Sequence, residues 1–151
     1  MAEGRLFDGT KTCSRVDKQK LRVARVLIVE NDREMLDEVS KVLDGENYLL
    51  ERIGDGQMAL ESRKRNFYHV AIVARDVPGL NAIELTKLLR LHETQKSFAK
   101  GTLPERTKII CFTQYTTPDD MCIYMECGMD GCVSKPLDSN SLLRHLCCGF
   151  P

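Results

Sequence analysis

The sequence predicts an α/β domain, a doubly wound parallel sheet with helices on both faces. Two observations carry this. Five short apolar runs alternate with five segments of helical period along the chain. The runs are also continuous instead of alternating, which marks strands buried on both faces. Alternation at this spacing implies βα units and a parallel sheet. Right-handed crossovers then leave few topologies.

Residues 1–24 read as a tail or linker, with Gly4, Gly9, Thr10, Thr12 and Ser14 and room for a short helix at 14–22. Its basic cluster, Lys18, Lys20, Arg22 and Arg25, reads as solvated linker rather than a nucleic-acid arm. The domain proper spans 25–148. Its first strand is Val26 to Val29, ending in Glu30-Asn31-Asp32. The stripe Met35, Leu36, Val39, Val42 and Leu43 predicts a helix, with Asp32 as its cap and Gly45 as its end.

Tyr48 to Ile53 forms the second strand, and Gly54-Asp55-Gly56 is a turn. Met58 to Arg65 is helical. His69 to Ala74 is the third buried strand, followed by a loop at Asp76-Val77-Pro78-Gly79. Ile83, Leu85, Leu88 and Leu89 predict a helix from about Asn81 to His92. The polar stretch 93–106 reads as a long surface loop. Lys108 to Phe112 is the fourth strand and Pro118 to Glu126 a helix that breaks at Gly128. Gly131 to Val133 makes the fifth strand, closed by Lys135-Pro136, and Ser139 to Cys147 the last helix.

A chain of 151 residues with 42% hydrophobic content suits one core. Lys+Arg and Asp+Glu are both 22, so no net charge draws the chain toward nucleic acid or a membrane surface. No apolar stretch approaches the roughly 20 residues that span a bilayer, and Met1 to Thr10 lacks the pattern of a secretory signal. The seven cysteines are odd in number and irregularly spaced, without a CxxC pair. They read as reduced thiols of an intracellular, cytoplasmic protein. A zinc site from Cys147, Cys148 and His145 is disfavoured, since structural zinc wants four spaced ligands.

In parallel α/β sheets, ligands bind at the carboxyl ends of the strands. Those ends here are Glu30-Asn31-Asp32, Ala74-Arg75-Asp76, Thr113-Gln114 and Ser134-Lys135-Pro136. The run Gly128-Met129-Asp130-Gly131-Cys132-Val133-Ser134-Lys135-Pro136-Leu137 and the run Pro78-Gly79-Leu80-Asn81-Ala82-Ile83-Glu84 resemble the receiver domains of response regulators and hybrid histidine kinases. The likeness covers roughly residues 24–148. It implies a flavodoxin-like (βα)5 sheet in strand order 2-1-3-4-5. It also implies a pocket of five groups: an acidic pair for Mg²⁺, an aspartate that accepts a phosphoryl group, and a hydroxyl and a lysine that bind its oxygens. Mg²⁺ demands hard oxygen ligands, and phosphoryl transfer rests on positioning and charge stabilisation.

Set against that pattern, Lys135 matches the lysine, Thr113 the hydroxyl and Glu30 the first acid. Asn31 stands where the second acid is expected, which weakens a metal site. Counting back from Pro78 and from Glu84 puts Ala74 at the acceptor position, and a methyl group forms no acyl phosphate. Cys132 replaces an aromatic ring that many receivers carry three residues before the lysine. Deprived of its usual partner at residue 74, Lys135 is expected to pair with Glu30.

The resemblance with these departures implies a non-catalytic pseudo-receiver, a protein-interaction or regulatory module in phosphorelay signalling. It would have no cofactor and no metal beyond a weak remnant at Glu30 and Asn31. Expected partners are proteins, a histidine kinase or another phosphorelay component, or a second copy in a homodimer. Neither nucleic acid nor membrane is expected, and no output domain is expected after Leu146. The alternative is an active phospho-acceptor that uses Asp76 with Mg²⁺. A nucleotide- or flavin-binding relative is disfavoured because no Gly-rich loop comes after the first strand.

Overall fold

The computed structural model describes residues 24–43 and 48–147. The elements run β1 (Ala24–Val29), α1 (Arg33–Leu43), β2 (Tyr48–Ile53), α2 (Gly56–Arg65), β3 (Val70–Ala74), α3 (Ala82–Lys100), β4 (Lys108–Thr113), α4 (Pro118–Cys127), β5 (Gly131–Ser134) and α5 (Ser139–Cys147). The five strands form one parallel sheet in the order β2-β1-β3-β4-β5, as expected. Residues 1–23 of the expected 1–24 tail, its helix at 14–22, the helix stop at Gly45 and Cys148 lie outside the described residues. Ala24 and Arg25 belong to β1, so the sheet begins earlier than expected.

The apolar runs are continuous because the sheet is covered on both faces. Val26, Ile28, Val70, Ile72, Ile110 and Phe112 face α1 and α5 and pack with Val39, Leu43, Leu142 and Leu146. Their alternates Leu27, Val29, Ala71, Val73, Ile109 and Cys111 face the other way and pack with residues of α2, α3 and α4, including Leu85, Leu89 and Tyr124. Period-two alternation therefore splits each strand between two cores.

Helix ends obey local chemistry. The Asp32 carboxylate accepts from the Glu34 amide at 2.9 Å, as its capping role requires. Asp55 caps α2, which starts at Gly56 instead of Met58. Asn81 with Glu84, and Thr117 with Asp120, make reciprocal capping boxes on α3 and α4.

The expected loop over 93–106 is half wrong: α3 runs on to Lys100 and stops at Gly101, whose φ of 68° is left-handed. The added turns have a polar sequence because they face solvent, apart from one buried carboxylate. Glu93 binds Arg63 of α2 at 3.3 Å, Arg90 at 2.9 Å and the amide of Thr107 at 2.8 Å. Arg63 also donates to Thr107 Oγ1 at 2.8 Å and the Glu105 carbonyl at 2.9 Å. Arg90 continues the network to Asp130 at 2.8 Å. These charges tie α2, α3 and the entries to β4 and β5 together at the end of the sheet opposite the site.

β1 leads through α1 to β2 on one side, while β3 leads through α3 to β4 on the other. The connections diverge above β1 and β3, and a crevice opens there.

Candidate functional site

The crevice is an open cleft of about 190 Å³ at the carboxyl ends of β1, β3, β4 and β5. Parallel pairing fixes what meets there. Ala74 stands beside Phe112, and Thr113 beside Ser134. All six residues singled out from the sequence, Glu30, Asn31, Ala74, Asp76, Thr113 and Lys135, line this one cleft.

Ala74 is nearly buried at the end of β3 and presents only a methyl group. Lys135 lies just after β5, its amide bonded to the Thr113 carbonyl at 2.9 Å. The peptide bond to Pro136 is cis. The Lys135 ammonium lies 3.0 Å from Glu30 Oε1 and 5.0 Å from the centre of the Phe112 ring. Glu30 is buried, and its other oxygen accepts from the Asp32 amide at 3.1 Å. The expected Lys135–Glu30 pair is thus formed. Thr113 is also buried; its hydroxyl oxygen accepts from the Tyr115 amide at 3.0 Å.

Asp76 behaves differently. Its side chain is 72% exposed and sits 3.6 Å from Arg75 of its own loop. Arg75 in turn lies 5.1 Å over the Tyr115 ring. Neither Tyr115 nor Phe112 stood out in the sequence. The signal for Tyr115 was its position, two residues past the Thr113 hydroxyl on the loop that leaves β4, the neighbour of β3. Tyr124 was missed as well: it is buried and donates to the Tyr115 carbonyl at 2.8 Å, bracing the β4–α4 loop from below. Burial pushes its phenol pKa up.

Mg²⁺ needs a near-octahedral shell of oxygens. Ala74 supplies none, Asn31 a neutral amide, and the Glu30 oxygens are engaged by Lys135 and a backbone amide. Among the described residues no group of three His, Cys, Asp or Glu is placed to hold a metal ion. The residues present do not fit Mg²⁺. The zinc reading at Cys147, Cys148 and His145 rests on cysteine side chains outside the described residues; the His145 Nδ1 lies 2.9 Å from the Ser141 carbonyl.

Comparison with known proteins agrees with the topology. Residues 26–147 match the response regulator receiver domain. The chain belongs to that family. Response regulator ArlR of Staphylococcus saprophyticus is 25% identical to this receiver domain over 124 residues, 82% of the chain and 51% of that protein. The DNA-binding response regulator MtrA of Mycolicibacterium smegmatis is 28% identical over 122 residues, 81% of the chain and 48% of that protein. The chain spans about half the length of these relatives.

Among solved structures, the chemotaxis response regulator CheY4 of Vibrio cholerae superposes with a TM-score of 0.70 at 26% identity, over 83% of this chain and 97% of that one. The receiver domain of a sensor histidine kinase from Pseudomonas aeruginosa, solved with magnesium in its active site cleft, reaches 0.69 at 22% identity, over 83% and 95%. The receiver domain described here therefore has the flavodoxin-like fold of these proteins. None of its described helices is long and apolar enough to cross a membrane.

Proposed function

We propose that this receiver domain is a non-catalytic pseudo-receiver, a protein-interaction or regulatory module in two-component phosphorelay signalling. One observation carries the reading: β3 ends in the methyl group of Ala74, while the lysine that would neutralise a phosphoryl group is held on Glu30. A receiver works as a switch by differential stabilisation of two states. Without an acceptor carboxylate or an Mg²⁺ shell, nothing in the cleft supplies that difference. Ala74, Glu30, Asn31, Thr113 and Lys135 are then structural remnants of a phosphorylation pocket.

The partner is a histidine kinase or another phosphorelay protein, or a second copy of the chain, bound through α4, β5 and α5, the surface that receivers commonly use. Work in a reducing, cytoplasmic compartment is consistent with the free thiols at Cys111, Cys122, Cys127 and Cys132. DNA contact would need a further domain, since the chain as a whole has no net charge to attract it.

The second reading, phosphorylation of Asp76 with Mg²⁺, draws on its place at the rim of the same cleft. Its exposure and its Arg75 partner count against it. Incubation with acetyl phosphate and Mg²⁺, and then intact mass measurement, separates the two. The pseudo-receiver gives no phosphoryl adduct. An adduct that disappears in Asp76→Asn overturns this reading.

A further inference from the structure

Cys111 in β4 and Cys132 in β5 are directly paired across two parallel strands. Both side chains lie on the same side of the sheet, where Cys111 is buried in the core and Cys132 packs against it from a partly exposed position. The pairing leaves the two thiols as neighbours on one face of the sheet. We propose that they form an oxidant-responsive dithiol site, which a hydroperoxide converts to a reversible Cys111–Cys132 disulfide.

Register brings the pair within reach. Paired strands lie about 4.8 Å apart, inside the roughly 4.4–6.8 Å between Cα atoms that a disulfide tolerates. Directly paired residues generally hold their Cβ atoms about 4.5–5.5 Å apart, at or just beyond the roughly 3.5–4.5 Å of a disulfide, so the strands must draw together and the bond forms with strain. Strained disulfides are the labile, readily reduced kind.

Polarity within the pair assigns the roles. The neighbouring Cys132 sulfur, and then burial, push the Cys111 thiol pKa up, so Cys111 keeps its proton. Cys132 is also the one that solvent reaches, and accessible thiolates are the reactive ones. The Cys132 sulfur attacks hydrogen peroxide and breaks the O–O bond. One oxygen remains on sulfur as a sulfenic acid, and the other leaves as water with a proton. The Cys111 sulfur then displaces the hydroxyl from the sulfenic sulfur, and its own proton completes the second water. Two thiols and one peroxide give one disulfide and two waters.

Among the described thiols, two others compete for the same sulfenic acid. Cys127 lies partly buried against the same core, its thiol donating to the Tyr124 carbonyl at 3.1 Å, and Cys122 is exposed on α4. Neither is in register with Cys132. Thr113 comes two residues after Cys111, and Lys135 three after Cys132. The bond would therefore tie together the two strand ends that frame the cleft.

The test uses the full chain with hydrogen peroxide, alkylation of the remaining thiols and digestion before aspartates. That digestion puts Cys111 in Asp76–Pro118, Cys122 and Cys127 in Asp120–Met129, and Cys132 in Asp130–Leu137. The expected product is Asp76–Pro118 joined to Asp130–Leu137, two hydrogens lighter than the free peptides, released by dithiothreitol and retained in Cys127→Ser. Joining of Asp130–Leu137 to Asp120–Met129 would overturn the proposal. So would peroxide treatment that leaves Cys132 unlinked, whether as thiol or as sulfinic acid. In Cys111→Ser, the Cys132 sulfenic acid should persist or over-oxidise. If that variant fails to fold, the linkage map of the unaltered chain decides alone.

Discussion

Lys135, just past β5, reaches Glu30, just past β1, with Nζ 3.0 Å from Oε1. The pair spans the end of β3 between them, where Ala74 offers no charge of its own. The Glu30 side chain is 6% exposed and that of Lys135 27%. Removing the lysine leaves a buried carboxylate with only one backbone donor. Lys135→Ala should therefore destabilise the domain by about 2 kcal/mol, between a surface pair and a fully buried one. The check is thermal or urea denaturation. An unchanged midpoint would mean that the pair contributes nothing to the fold.

The same relationship predicts how chemistry could be restored. Ala74→Asp with Asn31→Asp places two carboxylates beside Glu30 and gives Lys135 a second partner. Three acidic groups at one site raise the need for a cation. The double variant should bind Mg²⁺ and take a phosphoryl group from acetyl phosphate, read by intact mass, whereas the natural chain should not. A double variant that folds and stays unmodified would show that the backbone of the cleft, and not only its side chains, has diverged.

Gly56 opens α2 against the loop after β3. Its amide donates to the Pro78 carbonyl at 2.7 Å, and a Cβ built there would fall 1.9 Å from the Leu80 carbonyl oxygen. Backbone cannot yield as a flexible side chain does. Gly56→Ala should cost about 2–3 kcal/mol through forced displacement of that loop. Chemical denaturation measures it, and a neutral result would mean that the loop moves freely.

Strand positions were legible because burial on both faces writes a continuous apolar run, and parallel alternation leaves few ways to connect such runs. The cleft could be read from the strand ends alone, so Glu30, Asn31, Ala74, Thr113 and Lys135 met as expected. The second half of α3 was not legible: its one inward group, Glu93, is polar, and its partner Arg63 lies 30 residues earlier. Cys111 and Cys132 were likewise separate in sequence. Only the β4–β5 register makes them neighbours. Contacts between charges or thiols on different elements leave no period in the chain for a sequence reading to find.

His92 lies on the stretch of α3 beside that charge network, and its Nε2 is buried without a hydrogen-bond partner. Burial first, then the positive charges of Arg63, Lys96 and Lys64, hold its pKa below the ordinary 6.5, with Glu93 opposing. The unfolded chain thus binds a proton at this histidine at a higher pH than the folded one. Stability from this group is fully present above about pH 6.5 and is lost as pH falls below it, down to the folded value. Denaturation at pH 7.5 and 5.5 should show a drop in the natural chain. His92→Gln should reduce that drop, since glutamine does not titrate. An equal drop in both would mean that His92 is not the source of the acid sensitivity.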